Sequence, residues 1–266
     1  TALYELRLHH YVLGLEYANS PYACHTLGSS LAVRSSAYAH VRGFPKRAGA
    51  EDFYLLNKLA KLGPVVRLQG RCIELQSRHS SRVPFGTGPA VAGIMAAEHL
   101  EDVELFYHPQ CFVALAALLA GLPALAEAPR QDVVSLLCED RVNRGQTTLS
   151  LPPALAKQAD AALNKLGIAA ALDHCRRQAK SSVQFQRHFH GWFDGFRTLK
   201  FIHALRDAGW PTCSLRELNA LTPPLWPQLQ AQRLPQQEQQ SSPTVADHPH
   251  EVEQLRRSIR QHWGWQ

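Results

Sequence analysis

Methionine occurs once in the 266 residues, no cysteine pair has the CxxC spacing, and no histidine pair has the HExxH spacing. The six cysteines, Cys24, Cys72, Cys111, Cys138, Cys175 and Cys213, stand tens of residues apart. That scatter excludes a dense disulfide framework and paired-cysteine metal sites, and it leads us to expect reduced, mostly buried thiols in a cytoplasmic protein. The fourteen histidines, among them His9-His10, His188-Phe-His190 and His248-Pro-His250, lack partners at metal-binding spacing and are expected to be solvated or packed. Long apolar runs are missing as well. The best, Cys111 to Leu122, falls short of the ~20 residues a spanning helix needs, so it reads as a buried helix and no transmembrane segment is expected. No signal peptide is visible in this sequence, and no internal repeat is found.

What is present describes a globular protein with a sizeable core: 45% hydrophobic and 19% charged residues. Lysine and arginine number 28 against 22 acids, and the excess is local, with 11 basic against 5 acidic residues in 1–90 and 17 against 17 afterwards. A basic first third concentrates anionic ligands, whereas the neutral remainder argues against a nucleic-acid-coated protein. A phosphate-bearing small molecule fits this distribution better.

The pattern divides the chain at residues 90 and 222. Residues 1–90 alternate short β-like runs with helical ones, the texture of an α/β layer. Gly28 to Arg34 reads as a strand entered from a glycine, and Ser35 to Val41 as a short helix capped by Ser35 or Ser36. Glu51 to Gly63 reads as a helix with Phe53, Leu56, Leu59 and Leu62 on one face, acids at its start and lysines near its end. Val65 to Leu68 and Cys72 to Leu75 read as strands, followed by a glycine-rich loop from Pro84 to Pro89. Residues 91–222 are expected to be a helical extension, with helices near 91–106 and 110–121. A capping box at Ser214–Glu217 and one aromatic helix carrying Trp192, Phe196, Leu199 and Ile202 in its core belong to the same extension. Residues 223–266 form a Pro/Gln/Ser-rich linker ending in a charged helix, Glu251 to His262.

The chemistry-bearing signal is the ordered set Gly28-Ser29-Ser30-Leu31-Ala32-Val33-Arg34, Arg42-Gly43-Phe44, Glu51-Asp52, and Arg78 to Gly88. Small residues let a ligand approach the backbone, and a carboxylate at the positive end of a helix stays ionised. Asp52 is thereby a candidate general base, with Glu51 beside the same cavity. The same two acids would equally serve as caps and dipole partners, and the pair alone does not choose between these roles.

This order of motifs, over residues 20 to 90, resembles the C-terminal half of the catalytic domain of family 2 glycosyltransferases. The resemblance implies a partial GT-A fold, an α/β mixed sheet with flanking helices, followed here by a mainly helical region. It implies an inverting transfer of a sugar from a nucleotide-diphosphate donor to the hydroxyl of a glycan or other acceptor, with Asp52 as catalytic base. Gly28 and Ser29 would line the substrate site. The guanidinium forks of Arg78 and Arg82 would clamp the diphosphate, and His79 is a candidate metal ligand. Family members hold a divalent cation, Mg or Mn, mainly through an upstream DxD motif. Residues 1–27 contain no Asp, and Thr1 opens within an amphipathic segment, so an upstream portion is expected and this chain alone is expected to be inactive. The alternative is a non-catalytic helical module that binds a protein partner.

Overall fold

The computed structural model describes residues 1–70, 73, 86–127, 133–138, 141–143, 147–221 and 248–265. Among these the chain is helical. Its helices are α1 (Ala2–Tyr17), α2 (Ser35–His40), α3 (Glu51–Leu59), α4 (Thr87–Met95), α5 (Pro109–Ala120), α6 (Leu122–Glu127) and α7 (Val133–Cys138). They continue with α8 (Pro153–Lys165), α9 (Ile168–Gln178), α10 (Ser182–Trp192), α11 (Gly195–Asp207), α12 (Leu215–Ala220) and α13 (His248–His262). The paired strands among the described residues are β1 (Arg141–Asn143) and β2 (Thr147–Leu149), an antiparallel hairpin with Val142 opposite Thr148.

The α/β mixed sheet expected for residues 1–90 is therefore not found among their described residues, and the fold class is corrected to helical. Gly28–Ser30 is a 3₁₀ turn, and the chain then runs extended through Leu31 without a strand partner. The physical reason is that a strand exists only where its amides and carbonyls find a neighbouring strand, and no described part of residues 1–70 supplies one. Gly-Ser-Ser instead closes locally, with the Ser30 amide donating to the Leu27 carbonyl. Val65–Leu68 likewise pairs with no strand among the described residues. Its neighbourhood makes one bridge, Gly70 to Trp265, and Val66 and Leu68 face water. Cys72 to Leu75 lies outside the described residues, apart from an exposed Ile73.

Contacts gather the chain into two compact units. One comprises Thr1–Leu13, Val66–Phe106 and Thr212–Gln266, and the other Gly14–Val65 and Tyr107–Pro211. Residue 90, the expected domain limit, lies inside the first of these. In the second unit α5 is apolar all round, as the run Cys111 to Leu122 led us to expect. Pro109 starts it, the His108 side chain accepts the Gln110 amide, and Phe112, Leu115 and Leu118 are fully buried. α8 and α11 pack on it, contributing Leu155, Leu163, Phe201 and Leu205 to the core. The expected single helix through Trp192 to His203 is two. Asp194 interrupts it, accepting the Arg197 amide to start α11, so the buried aromatics are Phe193 and Phe201 rather than Trp192 and Phe196. The helix expected at 91–106 is also shorter, as α4 stops at Met95.

The first unit is held by a charge and ring cluster. The Arg256 guanidinium lies 2.6 Å from the Glu5 carboxylate, which also meets His9 at 3.3 Å and Arg260 at 3.5 Å. Arg67 stacks over Trp263 at 4.1 Å, and the Trp265 indole N–H donates to the Leu68 carbonyl. α12 opens with the expected capping box, the Ser214 side chain taking the Glu217 amide and the Glu217 side chain taking the Ser214 amide. None of the described cysteines is in a disulfide; burial, then the charges of Glu217 and Glu104, push the Cys213 thiol up to about 12.

Burial alone would raise the Glu5 carboxyl, but the hydrogen bonds to His9 and Arg256 and their charges outweigh it and hold the group at about 2, against 4.5 for the free side chain. A carboxyl depressed in the folded state stabilises fully above its unfolded value, and that contribution is lost as pH falls from 4.5 towards about 2. Glu5→Gln is accordingly expected to cost about 2 kcal/mol at pH 7 and to flatten the acid limb below pH 4.5. Urea titrations followed by tryptophan fluorescence at pH 7 and at pH 3 check this. An equal loss at both pH values would contradict it.

Candidate functional site

The acids Glu51 and Asp52 occupy the first turn of α3, as the sequence led us to expect. The residue before them, Ala50, has left-handed backbone (φ 57°) and offers no side-chain cap, so the helix start depends on its own acids. The Asp52 carboxylate answers this. Its Oδ1 accepts the Phe53 amide at 2.7 Å, and its Oδ2 accepts the Gly28 amide at 2.9 Å from 24 residues upstream. A Cβ on Gly28 would stand 3.1 Å from Asp52 Oδ2 and 3.2 Å from its Cβ, so glycine is what permits this close approach. Glu51 is exposed.

Two of the expected site residues, Gly28 and Asp52, are thus brought together, and Ser29 follows Gly28 in the 3₁₀ turn. Arg78, His79 and Arg82 lie outside the described residues. Each carboxylate oxygen has two accepting positions, so the two amide bonds leave Asp52 with half of its capacity for a hydroxyl proton. Among the described residues no three His, Cys, Asp or Glu side chains are gathered as a metal site. The candidate metal ligand His79 is not among these residues.

The sequence did not reveal what fixes α3 from its far side. Asn57 and Lys61, one and two turns beyond Phe53, converge on Asp194. Asn57 Nδ2 donates to Asp194 Oδ2 at 3.1 Å, Lys61 Nζ lies 2.7 Å from the same oxygen, and the Gly195 amide donates to Asn57 Oδ1 at 2.8 Å. Asp194 is buried. Burial raises its carboxyl, yet the Lys61 hydrogen bond, the Arg197 amide, the Asn57 amide and the Lys61 charge together hold it below its ordinary value. Beside it, the Tyr22 hydroxyl donates to the His190 carbonyl, and burial followed by the Asp194 charge pushes its ionisation upward. The available signal was Asp194 as a helix N-cap, which marks the start of α11 but not its distant partners.

α3 is therefore held at both ends, by Asp52 to Gly28 and by Asn57 and Lys61 to Asp194, all within one compact unit. Such an arrangement keeps one half-satisfied carboxylate at a fixed place beside a glycine backbone. Among the described residues no helix is long and apolar enough to cross a membrane. Comparison with protein-family models, with characterised proteins and with solved structures finds no match to this chain.

Proposed function

We propose that this chain belongs to a sugar transferase resembling family 2 glycosyltransferases, and that Asp52 is its general base. The observation that supports the reading is the Gly28–Asp52 hydrogen bond, since it joins the acid assigned as base to the small-residue segment assigned to substrate. In the proposed reaction Asp52 takes the proton of an acceptor hydroxyl as that oxygen attacks the anomeric carbon and the nucleoside diphosphate leaves. A single displacement inverts the anomeric centre. The glycine at 28 leaves no side chain against the carboxylate, and the anchorage of α3 at Asp194 keeps the base from swinging away. Arg78 and Arg82, the residues the resemblance assigns to the diphosphate, lie outside the described residues.

One observation favours a second reading. Both Asp52 oxygens already accept backbone amides, which is what a purely structural cap does, and the described fold is helical as a partner-binding module would be. The experiment that separates the two incubates the natural full-length protein with uridine- and guanosine-diphosphate sugars, Mg²⁺ or Mn²⁺, and a panel of hydroxyl acceptors. Release of nucleoside diphosphate coupled to a glycosylated acceptor is expected. Absence of turnover with every donor would leave the helical module as the better account.

A further inference from the structure

We propose that residues 34–47 form a docking surface for an anionic lipid bilayer. Residues 17–50 contain no acid, while Arg34, Arg42, Lys46 and Arg47 are all exposed. Two aromatics are exposed among them, Tyr38 at 38% and Phe44 at 44%. Their rings meet edge to face at 5.9 Å, and the Phe44 amide donates to the Tyr38 hydroxyl. Tyr38 lies on α2, and Arg34 is the extended residue immediately before that helix.

The turn that carries these groups is rigid. The Gly43 amide donates to the Tyr38 carbonyl at 2.9 Å, and the Lys58 ammonium donates to the carbonyls of Val41 and Gly43. Arg42 itself adopts left-handed backbone, φ 60°, where glycine or asparagine would sit more easily. A long cation kept at a strained, exposed position points to work for its side chain.

The combination of cations with large exposed rings decides the partner. Guanidinium and ammonium groups meet anionic headgroups, while Tyr and Phe settle at the boundary between headgroup and acyl chain. A polynucleotide is served less well. Tyr38 and Phe44 are turned against each other, and Arg47 stacks over Tyr54 at 3.9 Å, so no row of open ring faces is offered for bases. Basic and acidic residues balance after residue 90, which confines the attraction to the first third of the chain. The surface does not depend on the sugar-transfer reading, because it uses neither Asp52 nor Gly28.

Sedimentation of the full chain with vesicles tests the proposal, using phosphatidylcholine alone and phosphatidylcholine with about a third phosphatidylserine. Binding to the mixed vesicles, weakened by added salt, and little binding to phosphatidylcholine alone are expected. The double variant R42Q/K46Q is expected to lower the partition coefficient roughly 25-fold, about fivefold for each cation. Phe44→Ser should lower it further at constant charge. The double variant R177Q/K180Q, with the same loss of charge at exposed positions elsewhere, should retain binding; helix content by circular dichroism shows that each variant is folded. The proposal is overturned if both double variants lose binding equally, if R42Q/K46Q binds as the parent does, or if a single-stranded oligonucleotide displaces the vesicles at equal phosphate concentration.

Discussion

Asp194→Ala is expected to lower the stability of the chain by about 3 kcal/mol, seen as a fall in the thermal midpoint of roughly 6–12 °C. Three partners lose their acceptor at once: the Arg197 amide that starts α11, the Asn57 side chain and the Lys61 ammonium. A lost helix cap costs about 1 kcal/mol, and a buried donor left without its charged acceptor costs about 1–3 kcal/mol. Lys61 contributes the smaller share, because its side chain is 36% exposed and water replaces part of the ion pair. Asp194→Asn keeps an oxygen for the Arg197 amide and should cost less than half as much. The folded carboxyl is held below its usual 3.8, so this stabilisation is whole above that value and disappears as pH falls through the lower folded one. Urea titrations of both variants at pH 7 and pH 3 measure this. A loss below 1 kcal/mol for the alanine variant at pH 7 would show that α3 is held by packing alone.

Under the proposed function, Asp52→Asn in the natural full-length protein is expected to lower sugar transfer by roughly 10²–10⁴-fold, the usual contribution of a positioned general base. Asparagine presents one accepting oxygen, so it still satisfies the Gly28 or the Phe53 amide, and the urea midpoint should move little. Asp52→Ala removes both acceptors and is expected to cost a further ~1 kcal/mol of stability. Donor affinity should stay within about twofold in the asparagine variant, because a base acts on the acceptor proton rather than on the diphosphate. The pair of variants separates the two roles of this carboxylate. Loss of transfer in a stably folded asparagine variant marks a base, whereas wild-type turnover in it, with destabilisation only in the alanine variant, marks a cap.

The helices most legible in the sequence carry their own signals. Glu51-Asp52 at the start and Lys58 near the end outline α3, the Ser214–Glu217 box opens α12, and the apolar run after Pro109 is α5. The charged pattern expected at Glu251 to His262 falls within α13. Each of these depends on groups within a turn or two of one another. The strands read at Gly28–Arg34 and Val65–Leu68 have no such local support. Their β-like composition becomes a strand only beside a partner, and without one the first stretch closes into a 3₁₀ turn while Arg67 stacks on Trp263.

The candidate site was half visible. The acid pair and the small residues were named as a group, but the hydrogen bond from Gly28 to Asp52 spans 24 residues, and nothing in the spacing fixes its length. The Asp194 anchorage was invisible because its partners Asn57 and Lys61 lie more than 130 residues upstream.

Composition and local pattern by themselves determined that the positive charge is concentrated before residue 90 and where α3, α5 and α12 begin, to within a residue. Tertiary structure alone decided that the described part of the first third is helical rather than sheet-like, that one helix reading splits at Asp194, and that both ends of α3 are tied down. The physical reason is the range of the forces involved. Caps, dipoles and helical periodicity act over four or five residues, while strand pairing and buried carboxylate networks depend on distant groups brought together by the packing of the core.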